Sequence, residues 1–529
     1  MSLSVTAIFP QCCSLLTSRQ RDCFDDLLIE VLAGGSLSAE ALAVMMAAKD
    51  LPPYLADLAW LEWCLHQLDC DRGPPDQAVG ELSINPHLFL HRCRYRGLAD
   101  FFGCSQPPAP RAGEEYVAGW LDSEGGRRIE PLDNRDLLAL KIMAEGLDWR
   151  EAAAEGGVSP GYIAQVLFRA RQRGILVSPS SKIRRDPGLF PPTGGPDDNY
   201  LASPVFTIQW HLTQTCDLRC RHCYDRSKRK DFELCDGIRL LDELFDFCRE
   251  RHVHGQVTFT GGNPFLYPDF FALYQEAADR GFLTGILGNP VSRPTLEQLV
   301  AIQMPEFYQV SLEGMAAHND YVRGPGHFER VITFLNLLRE LGIYSMVMLT
   351  LTRDNQGQVA PLAERLRDRT DLFTFNRLAL FGEGARLQMA PASSYREFLA
   401  KYEALMLENS AVGLKDNLFN ILRKKEGKQV FGGCTGYGCG AAFNFVSILS
   451  DGEVHACRKF PSHLGNIHTQ TLAAIYDSAT ARQYRSRPVA CRKCPLCRVC
   501  GGCPAVVASL GGDPFSDRDP YCFQAKEQD

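Results

Sequence analysis

An α/β protein with a cysteine-rich tail is the fold class the sequence predicts, and two observations carry it. From residue 206 to about 384, strand-like runs at 206–212, 256–260, 283–287, 307–312, 344–350 and 372–380 alternate with helical runs of crossover length, 237–251 and 328–341 among them. That alternation predicts a parallel sheet, plausibly part of a (β/α)6 barrel, with the site on loops at the carboxyl ends of the strands. Of the 21 cysteines, nine crowd the last hundred residues and three more form a C-x3-C-x2-C triplet just after the first strand of the alternating region.

Taken in chain order, the N-terminal piece, 1–104, reads as helical, with apolar periodicity clearest at 25–32, 41–49 and 55–68. Its Cys12, Cys13, Cys23, Cys64, Cys70, Cys93 and Cys104 show no ligand-like spacing and read as buried thiols. Pro/Gly/Ser-rich stretches at 105–113 and 178–199 read as linkers. Between them, 114–178 reads as a helix-turn-helix or winged-helix-like module. Its helices fall at 137–144 and 149–155, Gly156-Gly157 makes a turn, and Ser159-Pro160 starts a third helix that runs to Arg173. Gly174-Ile-Leu-Val177 would begin a wing, and Arg169, Arg171 and Arg173 lend the module basic character. The alternating region spans 200–390 and the cysteine tail 430–529.

The whole-chain composition excludes several classes. At 529 residues, 45% apolar and 22% charged, this is an ordinary globular composition of two to four domains. A net charge of −7 argues against nucleic acid as the main partner. Neither a signal peptide nor an apolar run of membrane-spanning length is present, which predicts a cytoplasmic protein without a membrane partner. In that compartment, tight C-x2-C repeats read as metal or cluster ligands in preference to disulfides.

The chemistry starts at Thr215-Cys-Asp-Leu-Arg-Cys-Arg-His-Cys-Tyr224. Cys216, Cys220 and Cys223 on one short loop suit three irons of a [4Fe–4S] cluster and leave the fourth without a protein ligand. By spacing alone the triplet also fits half of a zinc site. Thr260-Gly261-Gly262-Asn263-Pro264 ends the second strand, where paired glycines let backbone approach a ligand, or make an ordinary turn. Ser311 ends the fourth strand, and Arg323 follows on a neighbouring loop. A hydroxyl and a guanidinium there suit a ribose or a carboxylate, although a lone arginine is more often structural.

Together these motifs resemble the radical S-adenosylmethionine (SAM) superfamily over 206–384, and the ordered set resembles its subgroup with a SPASM domain. The resemblance implies a radical SAM barrel in which Cys216, Cys220 and Cys223 bind the cluster and SAM chelates its open iron. It places His222 near the adenine, Gly261, Gly262 and Asn263 at the SAM amino group, and Ser311 and Arg323 at the ribose and methionine carboxylate. Asn263 departs from the glutamate usual in that motif. The tail resembles a SPASM domain with two auxiliary [4Fe–4S] clusters. By position one takes Cys434, Cys439, Cys457 and Cys503, and the other Cys491, Cys494, Cys500 and Cys522. Cys497 is extra to the family pattern and stands as an alternative ligand within 491–503. Paired C-x2-C motifs are equally the mark of a zinc ribbon.

The family's chemistry is reductive cleavage of SAM to a 5′-deoxyadenosyl radical that abstracts a substrate hydrogen, with auxiliary clusters accepting the electron. The layout is closest to SPASM peptide maturases of ribosomally made natural products, with selenobiotic-peptide maturases the nearest subgroup. It implies a precursor peptide whose leader the N-terminal region captures, and a reductase such as flavodoxin or ferredoxin. Alternatives are a non-peptide small molecule such as a porphyrin carboxylate, and, in another class, a DNA-binding redox sensor. Arg458, directly after Cys457, stands where sulfatase-maturing relatives carry an acid.

Overall fold

In the computed structural model, Met1–Val158 with Ile163–Ser180 make one unit and Ser159–Tyr162 with Ser181–Asp529 another. It describes residues 5–33, 38–48, 51–70, 81–122, 125–191 and 200–524. Positions 192–199 of the expected second linker, and the Cys70 side chain, lie outside the described residues.

The first unit begins with helices, as its periodicity predicts: Ser18–Ala33 and Leu55–Cys70 cover the expected 25–32 and 55–68, and Ala39–Ala48 covers 41–49 as far as Ala48, position 49 lying outside the described residues. It is not helical to residue 104, however. Strands β1 (Ser83–Ile84) and β2 (Phe89–Arg96) fall inside that range, followed by β3 (Arg111–Leu121) and β4 (Arg127–Pro131). The physical reason lies in β2 itself, Phe-Leu-His-Arg-Cys-Arg-Tyr-Arg. Its Phe89, His91, Cys93 and Tyr95 turn inward while Leu90, Arg92 and Arg94 are exposed, a period of two. Strands β2, β3 and β4 pair antiparallel in that order. The stretch 105–113 therefore joins two paired strands of one unit instead of separating two domains. Leu55, Leu58 and Leu61 of the long helix share a core with Val117 and the buried thiols Cys12, Cys13 and Cys93, whereas Cys104 is exposed.

Three further helices follow, Asn134–Glu145, Trp149–Gly156 and Pro160–Arg173. Asp133 and Asp136 form a reciprocal capping box at the first, and Gly146 and Gly157 end the first two with φ of 65° and 62°. The segment expected to begin a wing is a two-residue strand, β5 (Leu176–Val177), paired antiparallel with β1. Arg173 is held by Glu130 and Asp136, so its charge is satisfied inside the module.

The second unit holds six parallel strands in sequence order: β6 (Val205–Thr213), β7 (His254–Gly261), β8 (Leu283–Leu287), β9 (Phe307–Ser311), β10 (Ser345–Leu351) and β11 (Leu372–Arg377). Helices such as Leu234–Glu250 and His327–Glu340 make the crossovers. Beneath the first strands, fully buried Trp210 lies edge-on to Phe232 and stacks with Phe259. The cysteine tail continues this sheet. Its β12 (Phe445–Ile448) pairs parallel with β6, Phe445 opposite Thr207, and β13 (Glu453–His455) and β14 (His463–Asn466) add antiparallel. The turn at Asp451-Gly452 is as expected, with Gly452 at φ 84°. At the far end, buried Arg377 of β11 binds Asp416 and Asp519, both at 2.7 Å, tying the tail back to the sheet. Among the described residues no helix is long and apolar enough to cross a membrane.

Trp210→Ala removes a fully buried aromatic directly upstream of the triplet. A loss of about 3–5 kcal/mol is expected, read as a lower urea midpoint. An unchanged midpoint refutes the packing described.

Candidate functional site

The site is built at the carboxyl ends of β6 to β11. A cavity of about 530 Å³ opens there, lined by Cys216, Cys220, Cys223, His222, Gly261, Gly262, Ser311 and Arg323. The cysteines there and elsewhere among the described residues are free thiols.

Backbone bonds fix the thiol loop. Gly262 N–H donates to Thr213 O (2.8 Å) and Asn263 N–H to Thr215 O (2.9 Å). Gly261 has φ 129°, and a Cβ there would strike the Thr213 carbonyl; one on Gly262 would strike that of Thr215. The paired glycines thus bring the end of β7 into contact with the thiol loop itself. Of the predicted residues, Asn263 alone points away from the cavity. Its amide donates to Asp217 Oδ1 (3.0 Å) and its carbonyl oxygen accepts from Phe265 N–H (3.4 Å). Asn289, after β8, donates to the same Asp217 oxygen (2.6 Å) and approaches Cys216 Sγ at 3.6 Å. The Asn263 side chain is thus tied to the thiol loop.

Arg323 is held from behind. Its Nε and one terminal nitrogen donate to Glu313 Oε1 (2.9 and 2.6 Å), while the other approaches Cys220 Sγ (3.7 Å). Glu313 also accepts from Thr350 N–H (2.8 Å). Burial alone would raise the Glu313 carboxyl. His222 and the Arg323 charge beside it, with the hydrogen bonds from Thr350 and Arg323, outweigh it and hold the group below its usual range. His222 is pushed down to about 4, by burial first and then by Arg323, against the pull of Glu313. Its Nδ1 is buried without a partner.

These features fit the cluster and SAM. Three free thiols converge on one cavity, a glycine-lined wall admits close approach, and His222, with its partnerless ring nitrogen, lines the same cavity. Burial pushes all three thiols up, so they persist as protonated thiols until a metal displaces the proton.

In the tail, Cys434, Cys439, Cys457 and Cys503 wall one cavity of about 60 Å³. Cys491, Cys494, Cys497, Cys500 and Cys522 wall another of about 130 Å³. Cys497 is also packed against Phe190 and Leu201. Among the described residues no group of three Cys, His, Asp or Glu side chains is placed to hold a single metal ion. Asn376 and Lys459 line both the first of these cavities and the large one.

Sequence reasoning missed Asp217, Asn289, Glu313, Asn376 and Lys459. A signal existed for one of them: Gly288-Asn289-Pro290 repeats Gly262-Asn263-Pro264 at the next strand end. Glu313 stood unremarked beside Ser311.

Comparison with known proteins agrees. Residues 210–366 match the Radical SAM superfamily and residues 439–504 the SPASM iron–sulfur cluster-binding domain. The AdoMet-dependent heme synthase of Nitratidesulfovibrio vulgaris is 28% identical over 368 residues, covering 63% of this chain and 97% of the synthase. The mycofactocin maturase MftC of Mycobacterium ulcerans is 29% identical over 343 residues, 61% of this chain and 89% of its own. The fold is also that of Streptococcus suis SuiB, solved with S-adenosylmethionine and with its precursor peptide SuiA. That match has a TM-score of 0.50 and 18% identity, and covers 77% of this chain and 96% of SuiB. The chain carries a radical SAM domain followed by a SPASM domain. It is an enzyme whose first domain binds a [4Fe–4S] cluster and SAM and whose second binds auxiliary iron–sulfur clusters.

His211 of β6 supplies a pH test. Burial first, then the Arg458 charge, push it down to about 3, with Tyr224 Oη 3.2 Å from its Nε2. An unfolded histidine titrates near 6.5, so on acidification the unfolded chain takes the proton first. The stability His211 contributes is complete above about pH 6.5 and is lost as pH falls toward 3. The urea midpoint of His211→Gln should therefore fall less steeply between pH 6.5 and 5 than that of the parent. Equal slopes contradict the buried neutral imidazole.

Proposed function

We propose that this enzyme oxidatively matures a ribosomally made precursor peptide. The observation that carries the reading is the shared wall: Asn376 and Lys459 face both the large cavity and the cavity of Cys434, Cys439, Cys457 and Cys503. A peptide side chain held there lies between the place where a hydrogen atom is removed and the place where an electron is accepted. Loss of two hydrogens then divides into one atom, taken in the large cavity, and one proton plus one electron.

In this reading Cys216, Cys220 and Cys223 hold the first cluster. The backbone of Gly261 and Gly262, with Ser311, His222 and Arg323, holds SAM, and Glu313 keeps the Arg323 fork oriented. Cluster and SAM together supply a 5′-deoxyadenosyl radical by one-electron cleavage, fed by a flavodoxin- or ferredoxin-type reductase. Cys434, Cys439, Cys457 and Cys503 hold one auxiliary cluster. Cys491, Cys494, Cys500 and Cys522 hold the other, with Cys497 as a buried thiol beside them. Asn263 acts on the thiol loop through Asp217. The N-terminal unit, with its antiparallel sheet and three-helix module, captures the leader. The heme synthase match takes in 97% of the synthase but 63% of this chain, so part of this chain lies outside it.

The same match favours a second reading, oxidation of a small-molecule carboxylate. Mass spectrometry of a short peptide encoded nearby and co-expressed with the enzyme separates the two. A defined mass change, such as loss of two hydrogens, supports the peptide, and an unmodified peptide sinks it.

Anaerobic reconstitution should yield about twelve irons per chain for three [4Fe–4S] clusters. Replacing Cys216, Cys220 and Cys223 with alanine should remove about four of them and abolish 5′-deoxyadenosine formation with dithionite and SAM. Continued formation of that product refutes the role given to the triplet.

A further inference from the structure

Two arginines are buried beside the auxiliary cavities, and no carboxylate among the described residues answers their charge. Arg185 and Arg487 are 2% and 3% exposed. Arg185 donates to Tyr437 O and Cys439 O, each at 2.7 Å, and Arg487 donates to the same two carbonyls, each at 2.7 Å. Arg487 reaches Arg498 O as well (3.2 Å), and Arg185 lies over the Phe443 ring at 3.7 Å. Among the described residues neither forms an ion pair, and each Nε is buried without a hydrogen-bond partner. A buried cation without a counter-charge is costly, and carbonyl dipoles only partly offset that cost.

The chain spends backbone strain on this arrangement. Arg487 is a non-glycine residue at φ 66°, in the left-handed region. Gly438 and Gly501, at φ 69° and 79°, leave it room. A Cβ on either would run into the Arg487 side chain. The carbonyls that receive both guanidinium groups flank Cys439 of the first cavity, and Cys439 N–H donates to Cys500 O of the second (3.0 Å). Both cations therefore stand where the two thiol sets meet.

We propose that Arg185 and Arg487 are the counter-charge of the two auxiliary clusters and raise their reduction potentials. This rests on the reading of the tail as a two-cluster domain. A cluster held by thiolates is anionic, and fixed positive charge beside it favours the form carrying one more electron. The two arginines are positioning residues: they touch neither SAM nor substrate, and they make the auxiliary clusters better acceptors for the substrate electron.

The test uses full-length protein carrying Cys216→Ala, Cys220→Ala and Cys223→Ala, so that only auxiliary clusters remain after reconstitution. Into this parent go Arg185→Met, Arg487→Met, Arg185→Lys and Arg487→Lys, one at a time. Because both arginines serve the same two carbonyls, each single variant leaves both carbonyls bonded. Iron content and potentiometric titration followed by electron paramagnetic resonance are measured. The parent should hold about eight irons. Each Met variant should shift the reduced-to-oxidised ratio at fixed potential tenfold toward oxidised, a fall of about 59 mV for one electron. Each Lys variant, which keeps the charge but loses the fork, should stay near the parent. Iron lost from a Met variant but kept in its Lys counterpart also supports the proposal. Equal potentials in all variants overturn it, as does a Lys variant that falls with, or loses iron like, its Met counterpart. A parent without auxiliary iron overturns the two-cluster reading, and the proposal with it.

Discussion

Two backbone hydrogen bonds, Gly262 N–H to Thr213 O and Asn263 N–H to Thr215 O, join the end of β7 to the start of the thiol loop. Without them Cys216, Cys220 and Cys223 would sit on a loop free to sample many arrangements, and no cavity of fixed shape would face Ser311 and Arg323. The bonds form only because neither Gly261 nor Gly262 carries a Cβ. Asp217 adds side-chain anchors to two successive strand ends, through Asn263 and Asn289. The loop is thus held by its neighbours along the sheet, and cluster binding requires little rearrangement of backbone.

A second theme is how buried charge is managed. Arg323 and Glu313 neutralise each other beside the thiols, and Arg377 is matched by Asp416 and Asp519 where sheet and tail meet. Against that pattern Arg185 and Arg487 are exceptions, buried cations whose hydrogen bonds among the described residues go to backbone carbonyls. The contrast separates arginines that hold the fold from those whose partner is not an amino acid.

The strands, crossover helices and thiol triplet of the second unit were legible because each has a local signal: period, length or spacing. The helix-turn-helix was legible too, since Ser159-Pro160 and the paired glycines mark its ends. What escaped was non-local. Strand β2 was hidden by alternation with arginine on its outer face, and its pairing with β3 runs across a proline-rich stretch that looks like a linker. Glu313, Lys459 and Asn376 gain meaning only when β9, β11 and the tail come together. The role of Asn263 depends on Asp217, and one side of a hydrogen bond cannot be seen from the other.

Strand β12 pairs in parallel with β6, so the first strand of the sheet finds its outer neighbour only in the tail. During synthesis, β6 leaves the ribosome long before residue 445 exists, and its outer edge stays open throughout. Such a late, long-range closure folds slowly and exposes a strand edge to other chains in the interval. A polypeptide cut short before Phe445 would keep that edge permanently and aggregate. Cys434 and Cys439 precede β12 whereas Cys491 to Cys522 follow even β14, so a chain can complete its sheet before its second set of auxiliary thiols exists.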